Sequence, residues 1–408
     1  ISLLSVRPLL ILFFFRFLLR RKRCCFVGFI ESMYGLIWIY TGRWDFLRIL
    51  RAVGALLLLL FLLLAPKPLL RALSDDPMAR LFEPEQPDWY GVIEVWHIAS
   101  FKPFQGSGTK FLREQCQRFQ KRHPGVHIEV IGLTPDMYAA RIARGAFPDA
   151  YSFPAGLLYR ERLSAMEPVS LPPLLGNLRA AEADGLLYAV PYLASGNFLL
   201  VNEQLAQQIG TEDTEDVGEG VSVAMLQSWL DAGQLCVPPI WGAQLGLVGE
   251  SRAFSDFLAG KISAAVADAR AYGDITRSDS GNLAVRAIPL TGYTDETMYF
   301  GAAAGTDATR LALIRELAVF LLSDEVQKTV STLGALPVRR YIENVAYASD
   351  SLSLWQEQNT DALLAPEPFA FERHKDALLQ DAERALRGET GAEAAFSERL
   401  AVVLNGEN

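Results

Sequence analysis

The sequence predicts an α/β fold of two domains, in which strands and helices alternate and the first strands form a parallel sheet, and three observations support this prediction. Strand-like and helix-like patterns alternate along residues 91–153. The chain has 408 residues, of which 50% are hydrophobic and 21% charged, enough for two domains with apolar cores. An extended apolar stretch at 185–201 is broken by Pro191 and Gly196, which is typical of a chain that crosses between domains.

The first elements form a strand and helix series. Leu112, Cys116 and Phe119 share one face of a predicted helix, which Pro124 and Gly125 end. Such a series predicts a parallel sheet with right-handed crossovers. In chain order its segments are a strand at 91–98, a helix at 108–123, a strand at 126–131, a short helix near 136–144 and a strand at 149–153.

The later segments extend the same alternation. After the stretch at 185–201, Asn202 precedes a helix, and an asparagine in that place is typical of an N-cap. An acidic, glycine-containing loop follows at 211–220. Helical patterns dominate the last part of the chain, which ends with helices predicted at 376–387 and 392–404.

Charge and composition exclude several classes of function. Residues 1–71 carry 11 basic residues against Glu31 and Asp45, whereas the rest carries 27 basic and 45 acidic residues, a net charge of about −18. An acidic body binds nucleic acid poorly, because it repels the phosphates. Four cysteines without a Cys-x-x-Cys pair and four histidines form no recognisable metal or disulfide pattern. We therefore expect no nucleic-acid partner, no metal and no cofactor.

The N-terminal part is interpreted as a targeting segment. Residues 1–51 are treated as an uncertain segment, with a translation start near Met33. The segment 52–70 opens on an uncharged, leucine-rich run that follows three arginines, which is typical of an export signal. The uncharged run is longer than the usual apolar core of a signal peptide and shorter than a full membrane span. The segment could therefore be cleaved as a signal peptide or stay as a membrane anchor. The positive flank places the residues after it outside the cytoplasm.

Seven stretches along residues 91–345 are distinctive when they are taken together in chain order. They are VWHIAS (95–100), FQKRHPGVHIEV (119–130), ARGAFPDAYSFPAG (143–156), DGLLYAVPYLASGNFLLVN (184–202), FLAGKISAAVADAR (257–270), IPLTGY (288–293) and FLLSDEVQKTVSTLGALPVR (320–339). Together they resemble the extracellular solute-binding proteins of ABC importers, the group that includes maltodextrin- and glycerol-phosphate-binding proteins. The chain departs from this pattern between Asn202 and Phe257, where it is shorter, which predicts a reduced second lobe.

The resemblance implies a two-lobed, periplasmic-binding-protein-like α/β fold of type II, preceded by the signal or transmembrane segment. Its first lobe would comprise residues 85–195 and 297–340, and its shortened second lobe residues 196–296 and 341–408. Ligand would sit between the lobes, at the carboxyl ends of the strands, and a hinge motion would close them around it. The implied function is capture of a small hydrophilic solute, carbohydrate foremost, and its delivery to a membrane permease of an ABC transporter, without covalent chemistry.

Four residues of the first lobe lie where the resemblance places ligand contacts. Trp96 and His97 end the first strand, so an aromatic face there could stack on a sugar ring, or both could serve packing and hydrogen bonding. Asp149 and Phe153 lie at the two ends of the third strand. Asp149 could accept hydrogen bonds from hydroxyls or cap the neighbouring turn, and Phe153 could pack on ligand or in the core.

Six more candidates lie at the presumed hinge and in the second lobe. Arg270 follows a strand end and could hold a carboxylate, phosphate or hydroxyl, or pair with a neighbouring aspartate. For the others, packing or a turn role is the alternative to ligand contact. The six are Tyr192, Asn197, Trp241, Arg270, Tyr272 and Tyr299.

Two other classes of function remain open from the residues alone. A membrane-anchored sensing ectodomain of the same fold is compatible with the predicted anchor and the shortened second lobe. An extracellular carbohydrate-active enzyme is compatible with the abundant carboxylates, but it needs two of them about 5 to 9.5 Å apart across a cleft. The Gly-x-Ser-x-Gly motif and the P-loop motif are absent from the sequence. We therefore expect a binding protein rather than an enzyme.

Overall fold

The computed structural model describes residues 53–56, 89–99, 102–208, 222–277, 283–343 and 345–406. The chain divides into two compact units, residues 1–86 and 87–408. The predicted N-terminal segment 1–51 and most of the predicted signal or anchor at 52–70 lie outside the described residues. None of the helices within the described ranges has both the length and the apolarity needed to cross a membrane.

The second unit alternates strands and helices along its length. Its strands are β1 (Gly91–Ile98), β2 (Val126–Leu133), β3 (Ala150–Pro154), β4 (Ala181–Ala183), β5 (Leu186–Ala194), β6 (Asn197–Asn202), β7 (Leu235–Cys236), β8 (Ala264–Asp268), β9 (Val285–Pro289) and β10 (Thr297–Ala302). Its α-helices are α1 (Gly108–Arg122), α2 (Pro135–Ala143), α3 (Glu203–Gln208), α4 (Val223–Asp231), α5 (Pro239–Gln244), α6 (Phe254–Leu258), α7 (Ala269–Arg277), α8 (Ala308–Leu321), α9 (Asp324–Val330), α10 (Asp350–Asn359), α11 (Pro368–Leu386) and α12 (Ala392–Asn405). Short 3₁₀ helices lie at Arg160–Arg162 and Ser331–Leu333.

Six strands form the larger sheet, in the order β2-β1-β3-β10-β5-β4. β1 pairs in parallel with β2 and β3, which confirms the predicted parallel series. β10 comes much later in the chain and lies antiparallel between β3 and β5. Because successive side chains of a strand point to opposite faces, Val95 joins one apolar layer and Trp96 the other. The predicted helical face of Leu112, Cys116 and Phe119 is buried in the layer of Val95.

Four strands form the smaller sheet, in the order β7-β8-β6-β9. β6 is antiparallel to β8 and β9, whereas β7 and β8 are parallel. The chain reaches this sheet from β5 through Ser195 and Gly196 and returns to β10 through residues 290–296. The extended stretch predicted at 185–201 is therefore two strands of different sheets, with the predicted break at Gly196 between them.

The two crossings between the sheets are hydrogen-bonded to each other. The Ser195 backbone N–H donates to the Glu296 carbonyl at 2.8 Å, and the Thr294 hydroxyl donates to the Ser195 carbonyl at 2.9 Å. Trp355 of α10 packs over the first crossing, and its Nε1–H donates to the Asn197 carbonyl at 3.2 Å. The crossings therefore form one short, two-stranded connection under an indole ring.

Helix starts follow capping groups near them. Asn202 caps α3, since its Oδ1 accepts hydrogen bonds from two backbone N–H groups of the first turn, as predicted. The predicted start at residue 376 was wrong, because α11 begins at Pro368. A proline suits the first position of a helix, and the Glu367 carboxylate accepts the Ala370 N–H there. α11 and α12 pack against each other and against α5.

Gly196 leaves no room for a side chain at the first crossing. A Cβ atom at this position would lie 2.1 Å from the indole ring of Trp355. Gly196→Ala should therefore lower the free energy of unfolding by about 1 to 3 kcal/mol, the usual penalty of overpacking a filled site. Urea denaturation measures this difference. In a Trp355→Leu background the same alanine should be tolerated better, and an equal penalty in both backgrounds would contradict the proposed clash.

Candidate functional site

The carboxyl ends of parallel strands from both sheets meet at one junction. In the larger sheet β1 ends at Ile98 and β3 at Pro154, and in the smaller sheet β8 ends at Asp268. The loop after β1 contacts the helix after β8, since the ring centroids of Phe104 and Tyr272 lie 5.4 Å apart. Open α/β sheets bind their ligands at such carboxyl edges. This junction is therefore the candidate site.

The first turn of α7 lies at the junction. Asp268 caps the helix, because its Oδ1 accepts a hydrogen bond from the Ala271 N–H at 2.6 Å. Arg270 pairs with Asp274, with Nε and Oδ2 3.0 Å apart, and its Nη1 donates to the Pro103 carbonyl at 3.4 Å. The guanidinium thus links the smaller sheet to the loop after β1 while it remains partly exposed.

Two other predicted contacts lie beside Arg270. The ring of Tyr272 packs on Phe198 of β6, with centroids 5.6 Å apart. Asn197 begins β6 and lies opposite Asp268 of β8 in the sheet register. The junction therefore brings together three of the ten predicted site residues, which are Asn197, Arg270 and Tyr272.

The returning crossing adds two carboxyl groups that the sequence analysis did not single out. Burial raises the pKa of Glu296 well above its ordinary value, and the nearby carboxylates of Asp268 and Asp295 raise it further. Burial also raises the pKa of Asp295. The Oε2 of Glu296 has no hydrogen-bond partner among the described residues. An Asp-Glu pair after a turn is typical of a solvated loop, so the sequence carried no signal for this burial.

The loop after β3, at the carboxyl edge of the larger sheet, meets the first turns of α11. Lys375 donates from Nζ to the Gly156 carbonyl, and the ring of Phe371 lies against the same glycine. Tyr159 hydrogen-bonds the carboxylate of Glu372, which raises the pKa of the Tyr159 phenol. The sequence analysis missed these α11 side chains because it predicted a helix that begins only after them.

Three predicted aromatic contacts lie inside the larger sheet's second apolar layer. Trp96 is 1% exposed and packs edge-on against Tyr138 and Tyr151, with centroids 6.4 and 6.2 Å away. Phe153 and Tyr299 stack on each other with centroids 6.0 Å apart, and both are buried. All three rings are buried among neighbouring side chains, which favours the packing role over ligand stacking.

His97 and Tyr192 belong to a buried chain of hydrogen bonds. Ser152 connects them, with its Oγ 2.8 Å from His97 Nδ1 and 2.8 Å from the Tyr192 hydroxyl. Burial lowers the pKa of His97 to about 4, so the imidazole is neutral at pH 7. This placement favours the hydrogen-bonding role for both residues.

The last two predicted residues lie away from the strand ends that meet. Asp149 precedes β3, at its amino end, where it pairs with Arg310 at 2.8 Å and accepts the Glu94 N–H at 2.9 Å. Trp241 lies in α5 and is buried in the apolar cluster of the smaller sheet. Asp149 thus ties β1 to α8, and Trp241 packs the core.

The junction combines groups suited to noncovalent recognition. Arg270 and Tyr272 contact the loop after β1, and Lys375 contacts the loop after β3. Within the described part of the chain, no cluster of three or more His, Cys, Asp or Glu side chains could hold a metal ion. Aromatic faces with charged hydrogen-bonding groups match a polar molecule that has apolar C–H faces.

Several solved structures are similar in fold to this chain. The cyclic α-maltosyl-1,6-maltose binding protein from Arthrobacter globiformis is 15% identical with a TM-score of 0.56, over 78% of this chain and 100% of that chain. An ABC substrate-binding protein from Listeria monocytogenes in complex with cycloalternan is 13% identical with a TM-score of 0.52, over 77% and 98%. UgpB from Mycobacterium tuberculosis in complex with glycerophosphocholine is 19% identical with a TM-score of 0.50, over 77% and 98%.

No protein-family model matches the sequence, and neither does any curated protein. At the identities of the solved structures, the likeness concerns the fold. The predicted α/β fold with two sheets, as found in these binding proteins, is confirmed.

The buried His97 should make stability depend on pH in a defined window. Its folded-state pKa of about 4 lies below the ordinary 6.5, so the unfolded chain takes up the proton first. Stability should therefore fall as the pH drops from about 6.5 towards 4, by up to about 3 kcal/mol from this group. The free energy of unfolding of His97→Gln, measured by denaturation, should lack this pH-dependent loss. Substitution of the exposed His127 by Gln is the control, and equal pH dependence in both variants would refute the burial effect.

Glu296 should act in the opposite direction. Its folded-state pKa lies above the ordinary 4.5, so the native state holds the proton more tightly than the unfolded chain. Its contribution to stability is therefore present at low pH and is lost as the pH rises from about 4.5 through the raised pKa. Glu296→Gln should gain stability relative to the parent protein between pH 5 and 8. The exposed Glu182→Gln should show no such trend, and a pH-independent difference for Glu296→Gln would contradict the burial of this charge.

Proposed function

We propose that this chain is the extracytoplasmic solute-binding component of an ABC importer. In this proposal its two lobes close around a small hydrophilic solute, carbohydrate foremost, and hand it unchanged to a membrane permease. The observation that carries the proposal is the junction itself, where the loop after β1 of the larger sheet meets the first turn of α7, after β8 of the smaller sheet, beside a double crossing. The segment 52–70 would export the chain or anchor it outside the cytoplasm.

The lobes are proposed with the boundaries expected from the sequence. The first comprises residues 85–195 and 297–340, and the second, shortened lobe comprises residues 196–296 and 341–408. The type II arrangement is supported by β10, which returns from the second lobe and lies between β3 and β5. Closure is then a hinge motion about the two crossings, driven by the ligand's better fit to the closed form.

The proposed ligand contacts come from both sides of the junction. Asn197, Arg270 and Tyr272 are retained from the sequence analysis, and Lys375 is added from α11. An aromatic ring such as that of Tyr272 covers the C–H face of a sugar. The charged groups and the side-chain amide of Asn197 form hydrogen bonds with its hydroxyls. Ligand contact is not proposed for the remaining predicted residues, whose surroundings favour roles within the fold. These are Trp96, His97, Asp149, Phe153, Tyr192, Trp241 and Tyr299.

The solute class follows from chemistry shared by the similar structures. The Arthrobacter protein is named for cyclic α-maltosyl-1,6-maltose, the Listeria protein is in complex with cycloalternan, and the Mycobacterium protein is in complex with glycerophosphocholine. All of these solutes present several hydroxyl or phosphate oxygens on a small carbon frame. Arg270 and Lys375 suit such oxygens, whether neutral or anionic.

Binding without turnover is favoured by the carboxylate geometry. The carboxyl of Glu296 lies close to that of Asp268, which raises the pKa of Glu296. Glycoside hydrolysis uses two carboxyl groups about 5 to 9.5 Å apart with the sugar between them. A pair in direct contact leaves no room for that bond or for the attacking water.

A thermal-shift screen of the full-length chain tests the proposed function. Maltose-type sugars, polyols and glycerol phosphodiesters should each be compared with buffer, and a true solute should raise the unfolding midpoint. At 100 times its Kd the solute stabilises the native state by about 2.7 kcal/mol. Absence of a shift with every class, or a chemically altered sugar after incubation, would refute the proposal.

Site variants test the proposed contacts once a solute is found. Arg270→Ala and Tyr272→Ala should each raise Kd about tenfold or more by calorimetry, because each removes a group that touches the solute. The control is Tyr341→Ala, which truncates a tyrosine that is 68% exposed. Unchanged affinity in both site variants would remove this face of α7 from the site.

A further inference from the structure

Residues 102–105, here called the strap, join the two sheets directly. The strap leaves the larger sheet after β1 and precedes α1, yet its central residues Pro103 and Phe104 are buried. Phe104 is only 6% exposed, although it lies in irregular chain. A buried aromatic ring in a loop marks a point at which the loop is held from more than one side.

The strap is attached to the larger-sheet side by backbone contacts. The Gln105 N–H donates to the Leu333 carbonyl at 2.8 Å, and its side-chain Nε2 donates to the Thr332 carbonyl at 2.8 Å. Gly334 follows with φ of 64°, and a Cβ there would lie 2.3 Å from the Cβ of Phe104. The strap therefore lies flat on this segment, and its position relative to the larger sheet is fixed.

The opposite side of the strap faces α7 of the smaller sheet. The Phe104 ring packs on Tyr272, and the Arg277 guanidinium lies over it, 5.3 Å from the centroid. A Cβ at Gly273 would lie 2.2 Å from the Phe104 carbonyl oxygen. With the Arg270 bond to Pro103, the strap contacts Arg270, Tyr272, Gly273 and Arg277 of this helix. Only a glycine at 273 lets the strap approach so closely.

We propose that the strap is a latch, through which Phe104 holds the two sheets together by contacts within the chain and so sets how readily their junction opens. The contacts are apolar, cation–π and backbone-directed, and none of them requires a solute. A solute that binds the closed form then acts on an equilibrium that the protein has already biased. The inference rests on the lobe motion of the proposed function, but not on the identity of any solute.

The test measures the separation of the sheets in the full-length chain. Spin-label side chains are placed at the positions of Met137 in α2 and Leu258 in α6, both about half exposed, and their distance distribution is recorded without solute. The parent protein should show one short-distance population. Phe104→Ala should raise the ratio of long to short distances about tenfold or more, because the ring's contacts with α7 are lost.

A second variant keeps the test decisive if Phe104→Ala fails to fold. Gly273→Ala improves the helix propensity of α7, so by itself it should stabilise the protein. Against the strap, its Cβ meets the Phe104 carbonyl and should shift the distribution to longer distances in the same direction. The control is Phe147→Ala, a phenylalanine that is 62% exposed, which should change neither the distances nor the unfolding temperature.

The outcomes separate the latch from the proposed function. Unchanged distances in folded Phe104→Ala, or in Gly273→Ala if only that variant folds, would overturn the latch even if sugars bind the parent protein. If the variants open but no sugar restores the short distance or shifts the melting midpoint, the latch stands and the solute-binding proposal fails. A rise in solute Kd for Phe104→Ala in parallel with the open population would support both.

Discussion

The double crossing between the sheets is the constraint on which the rest of the structure depends. The chain leaves β5 and enters β6 over two residues, Ser195 and Gly196, and the returning strand bonds directly to this passage. So short a link keeps the carboxyl end of β5 beside the start of β6. The carboxyl ends of the parallel strands therefore face one another, and the loops that follow them, including the strap and the first turn of α7, come into contact.

Favourable and unfavourable interactions occur side by side at this junction. The aromatic contact of Phe104 with Tyr272 and the backbone bonds of the strap favour a closed arrangement. Burial of the Glu296 carboxyl beside Asp268 is unfavourable for its charged form, which loses hydration without full compensation. Such a local conflict in an otherwise well-packed body is typical of a place where the chain must change shape or hold a ligand.

Particular residues show how far sequence reasoning reached. The break at Gly196, the cap at Asn202 and the buried face of α1 were predicted, because each depends on neighbours within a few residues. For Trp96, ligand stacking and packing both remained possible. The alternation of side chains along a strand predicts that Trp96 and Val95 lie on opposite faces of the sheet, but it does not predict what covers each face. Arg270 reached the junction as expected, since a residue just after a strand end stays at the sheet edge.

By itself, then, the sequence determined the strands and helices of residues 91–153, the cap at Asn202 and the break at Gly196, because short-range periodicity and capping fix them. Only the tertiary structure decided that β10 inserts between β3 and β5, that Glu296 becomes buried, and that α11 brings Phe371 and Lys375 to the loop after β3. These outcomes depend on pairings between residues more than a hundred positions apart. Their energies arise only when distant surfaces meet, and no local pattern records them.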